Sequence, residues 1–300
     1  MELKGLHLLL TYRCDSECDH CFVWGGPKQE GTMTLANLRE IFKQAKGMKT
    51  VDHVFFEGGE PLLYYPILLR GVQMASEAGL KIGLLSNGFW ATSVEDSVEW
   101  LKPFAGLIKG ISVSTDLFHC NEKISRQAKN AQTAAKKLGI PIGFLQIAQP
   151  EEMNVDAGVG RLPEGWSGVM FRGRAAEKLV DRVPHRDWKL FTKCPYENLR
   201  DPERVHIDPL GNVHICQGIS MGNLFKTPLS KLCKTYDPDK NPITGPLLRG
   251  GPVELAKHHG LKHRNRYADA CHMCYLSRVA LRGRFPDVLS PNQAYGVLQP

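Results

Sequence analysis

Cys14, Cys18 and Cys21 stand close together in Cys14-Asp-Ser-Glu-Cys18-Asp-His-Cys21. Thiolates are soft ligands, and three so crowded can converge on one soft metal centre. On a four-iron cube, three protein ligands leave one iron open to a cofactor or substrate. A zinc ion closed by His20 or by a distant fourth ligand is the alternative the spacing leaves. Cys194, Cys216, Cys271 and Cys274 form a second set. Four thiolates make either a closed tetrahedral zinc site or a fully ligated iron–sulfur cluster, and spacing does not separate the two. The remaining thiols stand alone. Cys233 lies in an amphipathic turn and reads as a buried free cysteine, while Cys120 is a packed loop thiol or one facing the site. His258, His259 and His263 lie in a basic stretch that reads as a solvated loop.

Chemistry of this kind needs a frame. The first two-thirds alternate short β-branched apolar runs with amphipathic stretches, the pattern of βα units around a parallel sheet. Strands are predicted over Gly5–Leu10, His53–Glu57, Lys81–Ser86, Lys109–Ser114, Pro141–Ile147 and Gly168–Arg172. Helices are predicted over Leu35–Gly47, Pro66–Ala78, Val94–Phe104 and Glu122–Leu138, with Gly79 and Gly139 as helix-ending glycines. Six units are too few for a closed eight-fold barrel and enough for an open one. The first cysteine loop would sit at the carboxyl end of the first strand, where active sites of α/β folds collect. Past about Arg174 the rhythm changes. Pro, Gly, Cys and His become frequent, as in a small domain organised around a metal rather than a large apolar core. Within it, Val205–Cys216 reads as a hairpin turning at Pro209-Leu-Gly-Asn212 and delivering Cys216. The expected division is a core over residues 1–182 and a cysteine-rich extension over 183–300.

The chain has 300 residues, of which 42% are hydrophobic, enough to bury a full α/β core. No run of 18 apolar residues occurs, so a membrane-spanning helix is not expected and the reading is cytoplasmic. In that reducing compartment, nine cysteines are ligands or reactive thiols before they are disulfides. The formal charge of +7 is spread along the chain, so nucleic acid is an unlikely partner.

C-x3-C-x2-C after a first strand resembles the signature of the radical S-adenosylmethionine (SAM) superfamily, and other segments match that family in order. Phe56-Glu-Gly-Gly-Glu-Pro61 resembles its GGEP motif, which implies that Gly58, Gly59, Glu60 and Pro61 bind SAM, with Glu60 on its amino group. Leu85-Ser-Asn-Gly88 resembles the ribose-contacting strand end, through Ser86 and Asn87. Ser114, in Ile111-Ser-Val-Ser-Thr-Asp116, resembles a polar SAM contact, and Arg126 is a candidate for the SAM carboxylate. Phe171-Arg-Gly-Arg-Ala175 resembles the segment beside the adenine, which assigns Arg172 to the cofactor. The late cysteines, with Gly211 and Met221-Gly-Asn-Leu224, resemble the single-cluster Twitch form of the SPASM/Twitch extension.

The resemblance implies a partial (β/α)6 radical SAM barrel carrying a SAM-binding [4Fe–4S] cluster, an auxiliary [4Fe–4S] cluster and SAM. It also implies an electron donor such as flavodoxin or ferredoxin. The expected reaction is reductive SAM cleavage to a 5′-deoxyadenosyl radical that takes hydrogen from a peptide or small molecule. With thirteen residues ahead of Cys14, no appended peptide-recognition domain is expected there. The rival classes are a zinc protein associated with nucleic acid and a cluster-bearing electron carrier. Neither accounts for the ordered GGEP, Ser-Asn-Gly and Gly-Arg-Ala segments.

Overall fold

The computed structural model describes residues 1–120, 122, 124–152 and 166–297. β1 (Gly5–Thr11), β2 (His53–Gly58), β3 (Lys81–Ser86), β4 (Gly110–Ser114), β5 (Ile142–Ile147) and β6 (Trp166–Ser167) lie side by side in sequence order. All are parallel to their neighbours. α1 (Leu35–Lys46), α2 (Tyr65–Glu77), α3 (Val94–Leu101) and α4 (Arg126–Lys137) cross between them. This is the α/β partial barrel expected from the βα rhythm.

Period-two alternation decides which face of each strand meets the helices. Leu6, Leu8 and Leu10 of β1, with Val54 and Phe56 of β2, pack into one core with Leu38, Ile41 and Phe42 of α1. His7, Leu9, Phe55 and Glu57 therefore occupy the inner face. Caps fix the helix starts: the side chains of Thr34, Ser93 and Ser125 accept from the first-turn backbone of α1, α3 and α4. The Ser125 cap begins α4 at Arg126, later than the expected Glu122. Pro103 tightens the end of α3 into a 3-10 turn over Lys102–Phe104.

The expected sixth strand is corrected. Pairing stops at Ser167, and Gly168–Arg172 leaves the sheet; the Arg172 amide donates to the Met170 carbonyl at 2.7 Å. Gly173 then turns at φ +61, where a Cβ would meet the Cys21 carbonyl oxygen at 2.6 Å. The chain is steered back onto the first cysteine loop rather than along the sheet.

After α5 (Ala175–Lys178), β7 (Arg186–Asp187) pairs antiparallel with β11 (Arg266–Tyr267). β8 (Arg204–Ile207) joins the free edge of β1 in parallel, and β9 (Asn212–Cys216) and β10 (Ile219–Asn223) extend the same sheet antiparallel. The hairpin turn at Gly211 is as expected. α6 (Leu229–Thr235), α7 (Thr244–His258) and α8 (Ala270–Leu281) complete the chain's helices among the described residues. Val205, Ile207, Val213 and Leu255 share the main core with β1 and α1. The cysteine-rich part thus has a larger apolar core than its Pro, Gly, Cys and His content suggests, because it borrows the edge of the barrel. Among the described residues, no helix is long and apolar enough to cross a membrane.

Candidate active site

The first cysteine loop is held by backbone bonds at the carboxyl end of β1. The Cys14 amide donates to the Gly26 carbonyl at 3.1 Å, and the Tyr12 amide to Gly31 at 3.0 Å. Cys14 is buried, while Cys18 and Cys21 are half-buried. The Gly25 amide donates to the Cys21 sulfur at 3.2 Å. Arg174 clamps the loop from outside: its Nη1 donates to the Cys18 carbonyl at 2.8 Å and its Nη2 to that of Gly25 at 2.7 Å. Burial pushes the Cys14 and Cys21 thiols up, so they lose their protons readily only when a cation shares the site.

The GGEP segment locks onto this loop. A Cβ at Gly58 would lie 2.4 Å from the Thr11 oxygen and one at Gly59 2.1 Å from the Arg13 oxygen. The close approach that glycine permits is therefore to the cysteine-loop backbone, and the Gly59 and Glu60 amides donate there at 2.7 and 2.9 Å. Glu60 is fully buried. Its carboxylate accepts from the Leu62 amide at 3.0 Å, the Ser86 hydroxyl at 3.0 and 3.1 Å, and the Asn87 amide at 2.7 Å. Burial pushes it up to about 7. Both carboxylate oxygens thus serve to pin the end of β3 to the end of β2. Pro61 begins the 3-10 turn that follows. Asn87 Nδ2 donates to Asp15 at 2.6 Å and lies 3.7 Å from the Cys14 sulfur. Ser86, Asn87 and the cysteine loop are therefore brought together.

Ser114 is buried at the end of β4, and Arg126 is exposed at the start of α4. Asp116 and His119, which follow β4, form a group with His20 that the sequence did not bring together. His119 pairs with Asp116 at 2.8 Å, and His20 packs edge-on against His119 at 5.1 Å. Burial opposes charge on His119, but Asp116 and Cys18 outweigh it and push it up to about 10. The Cys120 sulfur lies 3.3 Å from the Asp116 carbonyl and 2.8 Å from that of Glu122, and its single S–H can serve either. Cys233 is buried, as expected.

The four late cysteines line one cavity, together with Arg172 and Arg278. Each arrives differently: Cys194 from a loop, Cys216 from the end of β9, and Cys271 and Cys274 from the first turn of α8, where a spacing of three puts both on one side. Asp269 caps that turn, accepting from the His272 amide at 2.6 Å. Burial pushes Cys274 up to about 12 and raises Cys216 and Cys271. Arg172 Nη1 lies 3.1 Å from the Cys216 sulfur and 3.3 Å from Glu197, with its guanidinium over the Phe22 ring at 5.1 Å. The side chain assigned to the adenine thus points to the second thiol set, and its neighbour Arg174 takes the first loop. Arg278, also buried, donates to the Gln217 carbonyl at 2.8 Å. The sequence signal for Arg174 was the same Arg-Gly-Arg segment; nothing in it says which arginine turns which way.

With this geometry in place, comparisons with known proteins carry the class. Residues 8–144 match the radical SAM superfamily. The putative peptide biosynthesis protein YydG of Bacillus subtilis (strain 168) is 28% identical over 135 residues, 45% of this chain and 42% of that protein. An S-adenosylmethionine-dependent nucleotide dehydratase of Fibrobacter sp. (strain UWH6) is 24% identical, over 68% of this chain and 64% of its own length. The chain thus spans less than two-thirds of the length of these curated relatives. Among solved structures, BtrN in complex with AdoMet and 2-DOIA has the same fold, with a TM-score of 0.53 at 17% identity over 78% of this chain and 83% of that one. Residues 8–144 thus carry a radical SAM domain.

Proposed function

We propose that this chain is a radical SAM enzyme that holds a [4Fe–4S] cluster on Cys14, Cys18 and Cys21, binds SAM beside it, and abstracts hydrogen from a peptide or small molecule. The observation that carries this reading is the locking of the GGEP backbone and the polar end of β3 onto the loop that bears the three thiols. The donor set fits the cluster: three thiols on a loop pinned by backbone bonds supply soft ligands while leaving one position open. When bound, the cluster supplies the electron that breaks the SAM carbon–sulfur bond. Gly58, Gly59, Glu60 and Pro61 would cradle the amino end of SAM, and Ser86, Asn87 and Ser114 would accept or donate to its polar groups. Arg126, free on the surface of α4, would meet its carboxylate. Arg174 keeps the loop fixed during turnover, so the ligands are preorganised rather than gathered by the metal.

The second thiol set fits an auxiliary [4Fe–4S] cluster, with two buried guanidiniums offsetting the charge of four thiolates. Fully ligated by four thiolates, it would take up an electron from the substrate radical. An electron donor such as flavodoxin or ferredoxin, in the reducing cytoplasm, would reload the first cluster. The reading of peptide or small-molecule substrates is supported by relatives whose names give peptide biosynthesis and nucleotide dehydration.

The test is anaerobic reconstitution followed by reduction with SAM present. Wild-type protein should hold about eight irons and release 5′-deoxyadenosine; Cys14→Ala with Cys18→Ala and Cys21→Ala should hold about four and release none. Full iron content in the triple variant would overturn the assignment of the first site.

A further inference from the structure

On the inner face of the sheet lies a group of three side chains that the radical chemistry does not use. His7 and His206 are register partners on β1 and β8, and Glu57 stands on β2 opposite Leu9. Glu57 Oε2 is 3.2 Å from His7 Nδ1, and Oε1 is 3.1 Å from His206 Nε2. Their side chains are 11, 17 and 11% exposed for Glu57, His7 and His206, and one ligand atom from each lies within 4.8 Å of the others.

We propose that His7, Glu57 and His206 form a binding site for one divalent transition ion, separate from both cysteine sets. Two imidazoles and a carboxylate are ligands suited to Zn²⁺, Fe²⁺, Mn²⁺ or Co²⁺. The carboxylate bridges the two imidazoles, one oxygen to each, and a separation of at most 4.8 Å between the three ligand atoms is compact enough for small side-chain rotations to close them on one ion. Ordinary hydrogen bonding does not account for the whole group. Among the described residues Glu57 Oε1 is buried without a well-aligned hydrogen bond, although His206 Nε2 lies 3.1 Å away.

The ligands sit on three adjacent strands, so the backbone ladder rather than a loop sets their separation. As ligands, one carboxylate and two imidazoles bring a single negative charge, so a bound divalent ion keeps net positive charge. Phe55 stacks on His7 at 5.0 Å and is 38% exposed, so the site is open on that side. A fourth position there suits water or an oxygen of a molecule entering the barrel. The site stands whether or not the SAM reading does.

The test uses protein whose cysteine sites are already loaded with iron and sulfide, titrated with Co²⁺. One equivalent should bind with the weak visible bands of nitrogen and oxygen ligation and without thiolate charge-transfer bands. Glu57→Gln and His206→Ala should each weaken binding at least tenfold while iron content is unchanged. Nitrogen couplings in the magnetic resonance of bound Co²⁺ read the imidazoles in wild-type protein, so the result does not depend on either variant folding. No bound Co²⁺, thiolate bands, absent nitrogen couplings, or equal affinity in a folded variant would each overturn the site.

Discussion

The two cysteine sites are built by opposite strategies. The first gathers three thiols from neighbouring positions on one loop, and the fold only has to pin that loop to the ends of β1 and β2. The second gathers four thiols from a loop, a strand end and a helix, so no cavity exists until β9, α7 and α8 are in place. A local site is preset by backbone hydrogen bonds, whereas a dispersed one ties its metal affinity to the folding of everything around it. Their counter-charges differ likewise. Arg174 spends its guanidinium on carbonyls of the first loop, while Arg172 lies against a sulfur and a carboxylate of the second.

The largest break in this comparison is Cys271→Ala with Cys274→Ala. Half the thiols of the dispersed site go, and metal binding there ceases. Substrate turnover should stop and the melting temperature should fall by several degrees, because metal binding contributes directly to folding. Some deoxyadenosine should still form, since the first loop depends on β1 and β2. Zinc at this site in the parent protein, with about four irons in all, would show that the second set is structural.

Arg172→Met is expected to have a smaller effect. Removing one member of a buried pair leaves the other charge uncompensated, at a cost of about 3–5 kcal/mol. Here Arg204 remains 3.7 Å from Glu197, so the lower end, about 3 kcal/mol, is expected in urea unfolding. Arg172→Lys should recover part of that loss. A cost below about 1 kcal/mol for Met would mean that Arg172 only fills space between the two sites.

Arg172 also marks the boundary of what the sequence disclosed. The parallel βα frame, the helix-ending glycines, the cysteine loop after β1 and the hairpin bearing Cys216 follow from local periodicity, turn chemistry and motif spacing. The sixth strand did not follow. Its apolar run looks extended, but the turn at Gly173 is set by the cysteine loop it must clear. Likewise His7, Glu57 and His206 look like ordinary strand residues until β8 pairs with β1, a contact between segments distant in sequence. His119 and Asp116 face His20 only through tertiary packing. Local order was legible; partners supplied by distant strands were not.

Glu60 tests the first site most finely. Its carboxyl sits at about 7 in the folded chain, raised chiefly by burial, against an ordinary value of 4.5. A carboxyl raised in this way favours the folded state only while protonated. Its contribution is complete below about pH 4.5 and is lost as pH rises through about 7, so wild-type stability should decline across that window relative to a neutral replacement. Glu60→Gln keeps an oxygen for Ser86 and Leu62 but cannot ionise. Melting curves taken at intervals from pH 5 to 8 in the absence of SAM should therefore diverge, with the variant losing less stability towards pH 8. Calorimetry on the same pair reads the other role: a carboxylate that also meets the SAM ammonium should cost about 1–3 kcal/mol of affinity when neutralised. Parallel melting curves would remove the buried-acid argument. Unchanged SAM affinity would leave Glu60 as the pin between two strand ends, with the amino group of SAM met by backbone alone.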